Sequence, residues 1–147
     1  MLQRLRYLWS VQTDWRHREG TSQNSYKTVA DLKLIFSDGT ELDTADAESC
    51  RKFEQSHKAL INKLAELKAK IDANETLKER IKRKYKIKNT TGYSLNALVD
   101  YAEPIDILKH LIIGSEGTLA FISSITYNTV EDYKDKSLAL IIYPNIK

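Results

Sequence analysis

The stretch TVADLKLIFSDGTELD, residues 28–43, decides the fold. Leu32, Leu34 and Phe36 alternate with Asp31, Lys33 and Ile35, a period of two that puts the first set on the buried face of a sheet. Ser37-Asp38-Gly39-Thr40 then interrupts the strand. Asp-Gly supplies the positive φ angles that a tight hairpin demands, so Glu41-Leu42-Asp43 is expected to return as a short antiparallel strand.

Downstream the period changes from two to that of a helix. Asp46 is placed to cap free backbone N–H groups and Glu48 adds a favourable charge in the first turn. Phe53, Leu60, Leu64, Leu67 and Ile71 fall on one stripe, which predicts a single amphipathic helix to about Ala73. Asn74 reads as the cap of a shorter, very basic helix through about Lys84, and Lys86 to Gly92 reads as loop. Ser94 is expected to cap a short helix through Val99, and Pro104 to open another through His110. Leu119 to Val130 and Leu138 to Tyr143, rich in β-branched and apolar residues, are expected as further strands. Strands, helices and strands again, without regular βαβ alternation, indicate an α+β fold: an antiparallel β-sheet flanked by helices.

With 147 residues, 41% of them apolar, the chain has material for one hydrophobic core. Cys50 is the only cysteine, which excludes a disulfide scaffold and fits a reducing, cytoplasmic setting. No run approaches the roughly 20 consecutive apolar residues of a membrane span, so no transmembrane segment is expected. The net charge of +3 is unevenly spread: residues 45–88 carry 13 Lys or Arg against 7 Asp or Glu, and the remainder is acidic. Such a basic segment can attract phosphate-bearing partners.

The segment with most chemical content is Ile113-Gly114-Ser115-Glu116-Gly117-Thr118-Leu119. Two glycines separated by Ser-Glu, entering a β-branched strand, make a turn whose bare backbone can approach a ligand closely. Taken alone, it also reads as a plain helix-to-strand turn. In context it gains meaning. KNTTGYSLNALVD (residues 88–100) followed by HLIIGSEGTLAFISSITYNTV (residues 110–130) resembles the second half of the flavin-binding domain in FAD-linked D-lactate and glycolate dehydrogenases, the glycolate oxidase type. That family carries a Gly-Tyr-Asp-Leu-like element, then Gly-Ser-Glu-Gly-Thr-Leu-Gly-Ile, then a strand. Gln23 to Tyr26 and Leu32 to Thr40 resemble its upstream Tyr-Gly and Asp-Gly elements. The resemblance spans about residues 20–143.

It implies the second subdomain of a PCMH-type FAD-binding domain, with residues 20–147 forming part of that domain. FAD is then the cofactor, and Gly92, Tyr93, Gly114, Ser115, Glu116, Gly117, Thr118, Ala120 and Ile122 form one wall of its site. Glu116 is read either as an acceptor for a ribose hydroxyl or as the capping group of its own turn. Ala120 stands where the family has Gly, and a Cβ there crowds the cofactor or forces the backbone away from positive φ. The parent reaction is oxidation of a D-2-hydroxy acid such as D-lactate, with hydride passing to the flavin. The family's pyrophosphate loop and substrate cap are expected on other segments, so the chain is read as a fragment and no catalytic residue is assigned.

Residues 1–19 are a non-family segment. Leu2, Leu5, Leu8 and Val11 allow a basic amphipathic helix, Arg-rich and acid-poor composition allows a targeting presequence, and the abrupt loss of resemblance before Gly20 favours an altered start or frame. His17, His57 and His110 lack metal-ligand spacing, and Cys50 reads as a small packing residue. The resemblance implies no nucleic-acid partner. The alternative is a small basic module that binds RNA or another phosphate-rich partner through residues 78–88, where Lys82, Arg83, Lys84 and Lys86 surround Tyr85.

Overall fold

In a computed structural model the described residues are 24–87, 89, 91–129, 140 and 142. The first element is a single helical turn, α1 (Ser25–Thr28), capped by the Asn24 side chain, which accepts from the Lys27 N–H. It runs directly into β1 (Val29–Ile35), the centre of a three-stranded antiparallel sheet ordered β2-β1-β3, with β2 at Glu41–Asp43 and β3 at Phe121–Tyr127. The expected hairpin is present: Phe36 N–H donates to the Thr40 carbonyl, and Gly39 takes φ 83°. Register makes the core. Leu34 faces Leu42 on one side and Ile122 on the other, and all three are fully buried.

The expected strand from residue 28 begins one residue later because Thr28 closes α1, its hydroxyl donating to the Asn24 carbonyl. The strand expected over Leu119 to Val130 is shorter at both ends, and Val130 lies outside the described residues. Of Leu138 to Tyr143 only Leu140 and Ile142 are described; neither is in a strand and both are exposed. The boundary at residue 20, the segment before it and the histidine at position 17 also lie outside the described residues.

The single long helix is a correction. The chain forms α2 (Ala47–Ser56) and α3 (Lys58–Asp72), broken at His57, whose φ of −112° and ψ of 36° leave the helical region. The imidazole explains the break: it stacks on Phe53 at 4.3 Å and reaches Asp38 of the hairpin turn at 3.0 Å. The Asp38 carboxyl is held below the ordinary carboxylate range, first by the Thr40 N–H and then by His57. Leu64 and Ile71 stay buried, but Leu60 and Leu67, expected on the same stripe, are 36% and 39% exposed.

After Asn74, which caps Leu77 N–H as expected, α4 (Glu75–Lys84) buries only Ile81. A second correction concerns Ser94. The short helix α5 (Ala97–Asp100) starts after Asn96 rather than Ser94, because the Ser94 hydroxyl donates instead to the Ile113 carbonyl at 3.2 Å. Helix α6 (Pro104–Ile112) opens on Pro104, packs on β1 and α3, and buries Ile107, Leu108, His110 and Ile112.

Around His110 the core is polar. Its ring stacks on Tyr101 at 3.7 Å and meets Tyr26 edge-on at 5.0 Å, while Nδ1–H donates to the Asp106 carbonyl. Tyr26 donates to Asp100 at 2.9 Å, and Asn96 donates to the same carboxylate oxygen. Burial is the first cause that raises the Tyr101 hydroxyl to about 12 and also pushes Tyr26 upward; the same burial lowers His110.

Leu64→Ala is expected to cost about 2–5 kcal/mol, whereas Leu60→Ala, on the exposed side of the same helix, is expected to leave the urea midpoint nearly unchanged. Equal effects of the two would place the helix face wrongly. Acid sensitivity is expected to trace in part to His110, which is held neutral in the fold with its pKa below the unfolded value of about 6.5. Its contribution is therefore fully present above that value and is lost as pH falls through the folded pKa. His110→Phe keeps a ring against Tyr101, and the fall in urea midpoint between neutral and mildly acidic buffer should shrink in that variant; an unchanged fall would assign the acid sensitivity elsewhere.

Candidate functional site

The chain must pass from α6 into β3 between two buried anchors, Ile112 and Ile113 on one side and Ala120 and Ile122 on the other. It does so through three left-handed residues: Gly114 at φ 80°, Glu116 at 54° and Gly117 at 78°. Glycine takes this region freely, but a glutamate there costs roughly 1–2 kcal/mol. Glu116 is the one non-glycine residue with positive φ among the described residues. Three internal bonds hold the turn: Ser115 N–H donates to the Ile112 carbonyl, and the Ser115 carbonyl accepts from both the N–H and the hydroxyl of Thr118. The N–H groups of Glu116 and Gly117 make no hydrogen bond among the described residues and lie on an exposed surface.

The loop at Gly92 and Tyr93 comes to this turn. Tyr93 OH lies 2.9 Å from Thr118 Oγ1, across 25 residues of sequence. Because the Thr118 hydroxyl already donates to Ser115, the Tyr93 phenol is the donor. Ser94, bonded to the Ile113 carbonyl, makes the second connection. Gly92, at φ 75°, has open space where a Cβ would project.

The residues selected from the sequence therefore divide. Gly92, Tyr93, Gly114, Glu116, Gly117 and Thr118 belong to one partly exposed surface, with Tyr93 44% exposed. Ser115, Ala120 and Ile122 are buried and offer a ligand almost no surface. Among the described residues Ser115 Oγ is a buried side-chain oxygen without a hydrogen-bond partner. Ala120 is not in the left-handed region, and its methyl group packs in the core.

Sequence reasoning missed Tyr85. At the end of α4 its hydroxyl donates to the Tyr93 carbonyl at 2.9 Å and accepts from the Leu95 N–H at 3.1 Å, fixing the loop from behind. The only signal in the sequence is an aromatic residue inside a run of cations, a pattern that points equally to a polyanion surface.

Cys50 is half-buried with its sulfur 3.6 Å from the Asp43 carbonyl, and burial pushes the thiol pKa up, away from the reactive thiolate. Among the described residues no group of three His, Cys, Asp or Glu side chains is placed to hold a metal ion, and no helix is long and apolar enough to cross a membrane. Compared with known protein families, with curated proteins and with solved structures, the chain matches none.

Proposed function

We propose that the chain is part of an FAD-dependent oxidoreductase of the D-2-hydroxy-acid dehydrogenase type, and that it supplies one wall of the flavin site within the second subdomain of a PCMH-type domain. The observation that carries this reading is the Tyr93–Thr118 hydrogen bond. The two segments on which the resemblance rests, Gly92-Tyr93 and Gly114 to Thr118, are remote in sequence and make one surface. A dinucleotide cofactor with sugars and flat rings is held largely through backbone groups on such glycine-bearing turns. The free N–H groups of Glu116 and Gly117 are suited to that task, and the left-handed backbone of Glu116 is the type of local strain that accumulates at ligand sites.

This surface supplies binding and orientation. Tyr93 offers a ring face for stacking, and its hydroxyl is already committed to Thr118, so it holds position rather than transferring protons. When bound, FAD would accept hydride from the hydroxy acid; the groups that bind the acid and take its proton are assigned to other segments of the parent enzyme.

An open wall cannot remove most of a cofactor from water, as ligand pockets do. Purified protein is therefore expected to be colourless and to show no saturable quenching of flavin fluorescence at micromolar concentration. At millimolar FAD, amide shifts in NMR spectra should appear at Gly92, Tyr93 and Gly114 to Thr118. Tight stoichiometric binding would contradict the one-wall reading, and the absence of shifts at those residues would contradict the site.

A further inference from the structure

The break between α2 and α3 joins three side chains in one hydrogen-bonded series. Ser56, the last residue of α2, has its Oγ 2.8 Å from His57 Nδ1, and His57 Nε2 lies 3.0 Å from Asp38 Oδ2 in the hairpin turn. The imidazole is held in place: it stacks on Phe53 with ring planes 8° apart, and the Phe36 ring lies 6.0 Å away. Proton positions follow from the partners. Asp38 is kept ionised, first by the Thr40 N–H and then by His57, and a carboxylate only accepts. The hydrogen of the neutral imidazole therefore sits on Nε2, which leaves Nδ1 with a free lone pair. Only the Ser56 hydroxyl can then donate across the 2.8 Å contact. The Phe53 carbonyl, 3.1 Å from Ser56 Oγ, competes for the same hydrogen and takes it when the imidazole is protonated, because Nδ1–H then donates to Ser56.

We propose that Ser56 is a self-acylating nucleophile for small activated esters, with His57 as its general base and Asp38 as the positioning residue that fixes the imidazole tautomer. Hydroxyl, imidazole and carboxylate in series are the arrangement that activates a serine. Here Nδ1 rather than Nε2 faces the hydroxyl, and either ring nitrogen serves as the base once the other carries the hydrogen. Ser56 Oγ attacks the ester carbonyl carbon as its hydrogen passes to Nδ1. The carbon–oxygen bond to the leaving group then breaks, Nδ1–H gives the proton to the departing oxygen, and the acyl group stays on Oγ. An alcohol leaves and no oxidant or second reactant is consumed. Ser56 is exposed, so a small acyl donor reaches Oγ without opening the fold. Base assistance contributes about 100- to 10,000-fold, which suits esters whose leaving group departs readily and does not extend to amides. The three side chains are separate from the Gly92–Thr118 surface in sequence and in their bonding, and their chemistry stands whether or not that surface binds flavin.

The test incubates the full chain with p-nitrophenyl acetate in buffer that keeps imidazoles neutral, quenches in acid and locates acetyl groups by peptide mass spectrometry. Ser37, exposed in the hairpin turn and bonded to no imidazole, is the internal reference. Ser56 is expected to gain acetyl at least about tenfold faster than Ser37. That excess should disappear in His57→Gln and fall in Asp38→Asn, with circular dichroism checking that each variant is folded. Nitrogen NMR of the imidazole should report the Nε2–H form in the unaltered chain and a gain of the Nδ1–H form in Asp38→Asn, a change that loss of a purely structural contact would not produce. Equal acetylation of Ser56 and Ser37 would overturn the proposal, as would an excess unchanged in Asp38→Asn or persisting in folded His57→Gln. Release of p-nitrophenol by Ser56→Ala as fast as by the unaltered chain would make the imidazole or a lysine the acceptor and would also overturn it.

Discussion

Everything at the candidate site depends on the reversal from α6 into β3. Ile112 and Ile113 are fixed in the core on one side, and Ala120 and Ile122 on the other, by contacts that also hold the sheet to the helices. Between these anchors the backbone has few ways to turn, and it takes three residues with positive φ, one of them a glutamate. Burial of the flanking apolar side chains offsets the local strain, at roughly 25 cal/mol for each Å² of apolar surface removed from water. The result is a stretch of main chain in which the N–H groups of Glu116 and Gly117 make no hydrogen bond among the described residues.

The surroundings stiffen that turn through hydroxyl groups. Tyr85 braces the Gly92 loop from α4, Tyr93 bridges to Thr118, and Thr118 closes on Ser115. Each such bond contributes modestly, about 1 kcal/mol, but in series they set the separation between two loops that the sheet alone does not position. This places the geometry of the surface in the hands of exposed polar contacts, while the core sets only where its ends begin.

That division explains what could be read from the sequence. The hairpin around Asp38-Gly39 was legible because alternation and turn chemistry are local, and Pro104 marked α6 for the same reason. The break at His57 was not legible: its cause is the carboxylate of Asp38, 19 residues away, and only tertiary structure brings the two together. Ser94 looked like a cap because capping is local, yet its hydroxyl found the Ile113 carbonyl across the fold. At the site, Gly114 and Gly117 announced a turn, but the joining of that turn to Tyr93 depended on a phenol reaching a hydroxyl 25 residues on. No periodicity encodes such a contact.

The most direct measurement of the central claim, that the two glycine-bearing loops form one preformed surface, is a double-mutant cycle. Tyr93→Phe, Thr118→Ser and the double variant would be compared by urea unfolding, with a second cycle using Thr118→Ala. In the Ala cycle, where the shared oxygen is lost, a coupling of about 0.5–1.5 kcal/mol is expected. The Ser cycle, which keeps the hydroxyl, should show the Tyr93→Phe cost undiminished in the Thr118→Ser background. Additive losses in the Ala cycle, within about 0.3 kcal/mol, would contradict the account: the loops would then lie side by side without holding each other.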